Sequence, residues 1–500
     1  MGLSLAPLLQ GFIQALSPIN LLYAFLGCFV GTLIGVLPGI GPTSAIALLI
    51  PLTTRLDPVG AVIMMAAIYY GAMYGGSTTA ILVNIPGEAA SVTTALDGYQ
   101  LAKQGRAGAT LGIAAISSFV AGTVSLLGLT FLGPTLASIA LAFGPPEYFA
   151  LMFMALTLVI GLSGRALLKG LIGTALGFLV CTIGLDPLTG TARLTLGSVT
   201  MMAGVNFISV IIGLFAIGEV LVNVERSVSH LYRTTSKDWM PTRSDLRECR
   251  GAMMRSSVIG FFMGLLPGCS PAVTTFVAYD AEKRFSKHPQ RFGHGAMEGV
   301  AAAEGANNAA CSGGFVPLFA FGLPSSPALA VLLGGLMMYG LQPGPLLFKE
   351  HPQFVWAVIA SMYIGNVILL VLNLPLVGLW ARIALIPFPI LGPLILVFSV
   401  IGAYSVRFLM LDVWVALIFG VVGYLMRKLG YPLAPMILAA VLAPIGDVVE
   451  TVADSVARFP ACILRAPRVR NFHDPWSSGH RPRNMAAVPV TCAAGSRGDG

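Results

Sequence analysis

The sequence predicts an all-α polytopic membrane protein of ten to twelve transmembrane segments, built as two homologous halves whose helices are broken by Gly and Pro. Three observations carry that prediction. The chain of 500 residues is 56% hydrophobic and only 10% charged, whereas soluble domains carry roughly 25% charged residues. Apolar stretches of about 20 residues, enough to cross ~30 Å of hydrocarbon, recur along its whole length. The segment "GTLIGVLPGIGP" at Gly31–Pro42 returns as "GFFMGLLPGCSP" at Gly260–Pro271.

The chain starts "MGLSLAPLLQGFIQALSPIN", without Lys or Arg. It lacks the basic region of a cleaved signal peptide and reads as a mature N-terminus entering the first span. The duplication comes next. Gly31, Gly35, Leu37, Pro38, Gly39 and Pro42 match Gly260, Gly264, Leu266, Pro267, Gly268 and Pro271 at one offset of 229 residues. Gly75, Gly76 and Pro86 then match Gly313, Gly314 and Pro324 at an offset of 238. Later, "IGEV" at Ile217–Val220 resembles "IGDV" at Ile445–Val448. The organisation is therefore a first repeat over residues 1–225, a linker over 226–250, a second repeat over 251–455 and a charged tail over 456–500. The tail is rich in Pro, Gly, Ser and Arg and reads as disordered.

Further spans fall at Ala107–Leu132, Glu147–Gly164, Ala166–Leu185 and Met201–Val222 in the first half. In the second they fall at Phe354–Leu374, Leu391–Ala403, Trp414–Tyr424 and Met436–Gly446. The net charge of +8 is concentrated in loops and tail, which argues against nucleic-acid binding. Six Lys and Arg lie in Arg226–Arg250, and "EKRFSKHPQR" at Glu282–Arg291 is a second basic loop. The positive-inside rule puts both on the cytoplasmic side. The seven Cys show no paired spacing and the six His are scattered. No Cys/His cluster points to a metal, and there is no HExxH, GxSxG or paired Ser/His set of an intramembrane enzyme.

Pro removes a helical hydrogen bond and Gly frees the backbone. "LPGIGP" should therefore end one helix near Leu37 and start another near Thr43. The released N–H and C=O groups cannot face lipid, so they must face protein or a water-filled cavity. A helix N-terminus carries about half a positive charge and suits a carboxylate. The candidate substrate-binding residues are accordingly Gly39, Gly41, Thr43 and Ser44. Ser77, Thr78 and Thr79 join them, with Ser77 as an N-cap. The second half contributes Cys269, Ser270, Thr274, Ser325 and Ser326. Carbonyls and side-chain oxygens on the far side of each break suit a small hard cation, which makes Asn84, Asn307 and Asn308 candidate ligands. Glu304, in "MEGVAAAEGANNAA", joins them as an intramembrane acid. No Arg or Lys stands in mid-span near these motifs, so an anionic substrate has to be recognised by backbone dipoles and hydroxyls. Glu88, Asp97, Lys103 and Arg106 read as an exit loop or interfacial helix, where they either serve function or form a solvated face. A duplicated pair of Gly/Pro-interrupted segments points to a secondary transporter. A passive anion channel is the alternative.

Four stretches, "GVLPGIGP", "YYGAMYGGSTTAILVNIPGEAASVTTALDGYQLAKQGRAG", "AEGANNAACSGGFVPL" and "LQPGPLLF", resemble the TctA family, the large membrane subunit of the tripartite tricarboxylate transporters of bacteria. The resemblance runs over about residues 15–455. It implies uptake of citrate-like or related carboxylates across the inner membrane, driven by a Na⁺ or H⁺ gradient. It further implies an elevator-like architecture and two partners, a TctB-like small membrane subunit and a TctC-like periplasmic solute-binding protein. Three positions depart from the family pattern: Ser270 closes Gly268-Cys269-Ser270 where relatives have Gly-x-Gly, Ala303 stands where a Pro precedes the Glu, and Ser325 where a Gly follows the Pro.

Overall fold

The structure is a computed structural model. It describes residues 6–37, 41–84, 86–161, 167–185, 191–225, 240–376, 379–380 and 388–442. Helices dominate. In the first half they are α1 (Ala6–Ala15), α2 (Pro18–Val36), α3 (Pro42–Thr53), α4 (Pro58–Val83), α5 (Ser91–Lys103), α6 (Ala107–Ala140), α7 (Pro145–Gly161), α8 (Leu167–Cys181) and α9 (Phe207–Glu225). After the linker come α10 (Arg243–Gly264), α11 (Pro271–Phe285), α12 (Met297–Gly313), α13 (Phe315–Phe321) and α14 (Pro327–Met338). The last five are α15 (Pro345–Glu350), α16 (Pro352–Asn373), α17 (Phe388–Arg407), α18 (Met410–Lys428) and α19 (Leu433–Leu442). A short antiparallel pairing of Gly184–Leu185 with Ala192–Arg193 precedes α9.

Pro decides where many of these helices start. α2, α3, α4, α11, α14 and α16 each begin on a Pro; its fixed φ suits the first helical position, where its missing N–H has no partner to lose. Side chains complete some of these starts. Asp57 accepts the Gly60 N–H at 3.0 Å at the head of α4. At the head of α10, the Thr242 N–H donates to Asp245 and the Asp245 N–H donates back to the Thr242 hydroxyl, a reciprocal cap.

Seven helices among the described residues are long and apolar enough to cross a bilayer: α2, α4, α6, α9, α16, α17 and α18. α3, α8 and α14 are apolar but shorter, at 12, 15 and 12 residues. At 1.5 Å per residue, a 12-residue helix covers roughly 18 Å, about half a bilayer. α3 and α14 are thus half-length segments, and each starts on a Pro.

α4 is the central element. It packs on α2, α3, α5, α6 and α16, and Tyr69, Met65 and Ile68 on it are fully enclosed. The α2–α4 contact is close because Gly replaces side chains at the crossing. A Cβ on Gly31 would stand 2.4 Å from the Ile68 carbonyl, and one on Gly35 2.2 Å from the Ala72 carbonyl. The crossing of α10 and α12 repeats this: a Cβ on Gly260 would meet the Ala306 carbonyl and one on Gly264 the Ala310 carbonyl, each at 2.6 Å. These partners are offset by 238 residues, as the second set of sequence matches is.

At one end, α5 and the start of α6 are fastened to the loops around α10–α12. The Asp97 carboxylate, for which a solvated face is one of two readings, is fully buried. It accepts the N–H groups of Gly293, Gly295 and Ala296 at 2.8–2.9 Å and the Tyr279 hydroxyl at 2.7 Å. Arg106 pairs with Asp245 at 2.6 Å. Burial pushes the Asp245 carboxyl up, but hydrogen bonds from Arg106 and Thr242 outweigh it and hold the group below its ordinary value. Arg291 reaches Glu248 at 3.4 Å and Arg255 reaches Glu282 at 2.6 Å. The described part of the linker and the second basic loop therefore lie side by side, as a common membrane face requires.

Candidate functional site

Three helix N-termini converge on one cavity of about 460 Å³, within the range typical of small-molecule sites. They belong to α3, α11 and α14. Before each, one residue is extended and the next is Pro: Gly41 (φ −69°, ψ 171°), Ser270 (φ −60°, ψ 154°) and Ser326 (φ −140°, ψ 160°). In α3 the Ala45 N–H donates to the Gly41 carbonyl at 3.1 Å. Up to four N–H groups at the head of a helix have no partner within it. Residues 41–44, 86–90, 270–272 and 326–328 form most of the wall. A second cavity of about 180 Å³ adjoins; it shares Ser270 and Ser326 and adds Ser325. Half-charges at three helix starts, together with hydroxyls, can hold a carboxylate without a formal positive charge.

Behind this cavity lies a buried polar layer on α12. The Glu304 carboxylate, 1% exposed, accepts the Ser77 hydroxyl at 2.6 Å and the Thr94 hydroxyl on its other oxygen. Beside it is a void of about 20 Å³ lined also by Tyr74, Thr78 and Ser118, roughly the size for one water or small ion. One turn on, the Asn307 amide donates to Glu88 at 3.0 Å, and Glu88 lines the large cavity. The Asn307 side-chain oxygen is buried with no hydrogen-bond partner among the described residues. Asn308 donates to the Glu304 carbonyl at 3.3 Å. Two glycines permit the layer. A Cβ on Gly76 would stand 2.7 Å from Glu88 Cγ, and one on Gly87 would stand 2.2 Å from the Gly35 carbonyl.

The structure thus brings Gly41, Thr43, Ser44, Ser270 and Ser326 together on the large cavity and places Ser325 next door. Ser77 and Thr78 lie with Glu304 instead, and Thr79 donates to the Gly76 carbonyl. Cys269 is buried and Thr274 donates to the Ser270 carbonyl, neither on the wall of either cavity. Asn84 ends α4 in the left-handed region (φ 57°) and is exposed, whereas Glu304, Asn307 and Asn308 are buried. Gly39, Pro38 and the "IGDV" of residues 445–448 lie outside the described residues.

Three expectations are corrected. α4 runs unbroken from Pro58 to Val83, so Ser77 is no N-cap; the Gly75-Gly76 pair serves close approach rather than a break. Glu88 is buried rather than solvated, because its loop folds back onto Gly76. A basic side chain does stand at the cavity: Arg427, from the last turn of α18, lines it beside Glu219 and Phe215. A basic residue at a helix end reads as an interfacial anchor, which hid Arg427. The one sequence signal near it was "IGEV", which contains Glu219.

The family model described as "Tripartite tricarboxylate transporter TctA family" matches residues 21–438. The chain is 44% identical over 439 residues to an Agrobacterium vitis protein described as "Uncharacterized 52.8 kDa protein in TAR-I ttuC' 3'region", covering 87% of each. It is 42% identical over 186 residues to a second from that organism, "Uncharacterized protein in TAR-II ttuC' 3'region", covering 37% of this chain and 77% of the other. No solved structure matches.

Proposed function

The chain belongs to the tripartite tricarboxylate transporter TctA family, and on that premise we propose that it imports tricarboxylates or related carboxylates across the bacterial inner membrane as a secondary active transporter. The observation that carries this reading is the convergence of three Pro-initiated helix starts, two from the second half and one from the first, on a single cavity edged by hydroxyls. That geometry suits a carboxylate.

A Na⁺ or H⁺ gradient drives uptake in this proposal. The coupling cation is seated on the polar face of α12, at Glu304, Asn307 and Asn308, with Glu88 linking that face to the cavity. Its support is a buried acid held by two hydroxyls, with the unpartnered side-chain oxygen of Asn307 on the same helix, oxygen ligands of the kind a hard cation prefers. The two halves act as pseudo-equivalent repeats, supported by the matched glycine crossings of α2 on α4 and α10 on α12, and alternating access moves one element against the rest. A TctB-like small membrane subunit and a TctC-like solute-binding protein complete the system.

The test is uptake of radiolabelled citrate into proteoliposomes containing the purified chain with the two partner proteins. Accumulation above equilibrium that collapses when the Na⁺ or proton gradient is dissipated supports the proposal. Equilibration that ignores both gradients favours a channel.

A further inference from the structure

We propose that Arg427 is a carboxylate clamp of the cavity and that Glu219 is its resident counter-ion, displaced when a substrate carboxylate enters. This rests on the carboxylate-transporter reading and adds a specificity-determining pair to it.

Both residues line the large cavity and contact each other through an Arg427 guanidinium nitrogen and a Glu219 carboxylate oxygen. Their side chains are 23% and 21% exposed, so the pair is largely desolvated yet open to the cavity. The Phe215 ring lies 5.7 Å from the guanidinium carbon and supports one face of it. Their positions are set by a tight helix crossing. A Cβ on Gly423 would stand 2.6 Å from the Leu214 carbonyl, and one on Gly420 2.4 Å from the Ile217 side chain. α9 is wound as a π-helix over Ile212–Ile217, immediately before Glu219. Such wider turns recur at functional sites.

The chemistry favours exchange. A guanidinium binds a carboxylate through two parallel N–H bonds, and an incoming carboxylate is the same chemical group as the one Glu219 presents. Replacing one with the other keeps the guanidinium paired throughout. Lys428, the neighbouring cation, is engaged by Glu225 at 2.9 Å and by Tyr424 at 2.8 Å and does not line the cavity. Ser270 and Ser326 edge the same cavity as Arg427. A molecule with two or more carboxylates can address the helix starts and Arg427 together; a monocarboxylate can address only one of them. The clamp therefore selects di- and tricarboxylates over monocarboxylates.

The experiment measures binding of citrate, succinate and acetate to the full chain in lipid nanodiscs, comparing wild type with Glu219→Gln, Arg427→Gln and Arg427→Lys. Thermal unfolding of each variant is followed in parallel. Removing the competitor in Glu219→Gln is expected to tighten citrate binding severalfold. Arg427→Gln is expected to weaken it by about tenfold or more, the scale of one charge-assisted contact, and to abolish the preference for citrate over acetate. Arg427→Lys keeps the charge without the fork and should fall between. Folded Glu219→Gln binding citrate as weakly as Arg427→Gln would make the pair a structural ion pair and overturn the proposal, as would unchanged affinity in Arg427→Gln. Wild type that binds no carboxylate would overturn the transporter reading, and this inference with it.

Discussion

Replacing Glu304 by Gln keeps the side chain's shape and removes the group able to carry a negative charge. The carboxylate is 1% exposed and holds one hydroxyl on each oxygen. Gln retains a carbonyl oxygen for one hydroxyl, and its amide can donate to the other, since a hydroxyl both donates and accepts. The hydrogen-bond loss is then about the difference between charged and neutral bonds, roughly 1–2 kcal/mol. Opposing it is the burial of an ion: no Lys, Arg or His pairs with Glu304 among the described residues. That penalty amounts to several kcal/mol per buried charge. Stability should therefore stay level or rise, by up to about 3 kcal/mol, while gradient-driven uptake is lost. Thermal unfolding in detergent and citrate uptake in proteoliposomes read the two effects separately. A variant that unfolds several degrees earlier and still transports with unchanged ion dependence would make Glu304 a structural acid and refute the reasoning.

Gly35→Ala forces a methyl to within 2.2 Å of the Ala72 carbonyl. Overpacking of this kind costs about 1–3 kcal/mol or more, and a lower yield of folded protein is expected; Gly41→Ala, with nothing within 4 Å of the new Cβ, should melt like wild type. Asp97→Ala strands three backbone N–H groups and the Tyr279 hydroxyl, at about 1–3 kcal/mol each, and should lower the melting temperature far more than any surface change. The Asp245 carboxyl is held below its ordinary value, so its contribution is present above the unfolded carboxylate value of about 3.9 and lost as pH falls through the lower folded value. The stability gap between wild type and Asp245→Asn, at most about 1 kcal/mol for a half-exposed ion pair, should be constant at neutral pH and close on acidification.

Much of the architecture was legible because Pro and Gly act on the backbone itself. Pro42 and Pro271 announce helix starts, and the helices do start there. The same rule misled at Gly75-Gly76, where the missing Cβ serves packing: a Gly reads identically in sequence whether it frees a torsion or admits a neighbour. Glu88 and Asp97 looked solvated because one-dimensional polarity cannot tell a carboxylate facing water from one turned toward amide donors. Asn307, three residues after Glu304, was legible as part of one polar helix face. Its partner Glu88, 219 residues earlier, was not. Arg427 reaches the cavity only because α18 packs against the π-wound stretch of α9, a tertiary fact with no local signature.

The most direct test is a density map of the protein in lipid with citrate bound. The account predicts density for the ligand between the helix starts at Pro42, Pro271 and Pro327, with each break intact and turned away from lipid. A ligand bound elsewhere, or continuous helices running through 37–42 and 264–271 against the acyl chains, would contradict it.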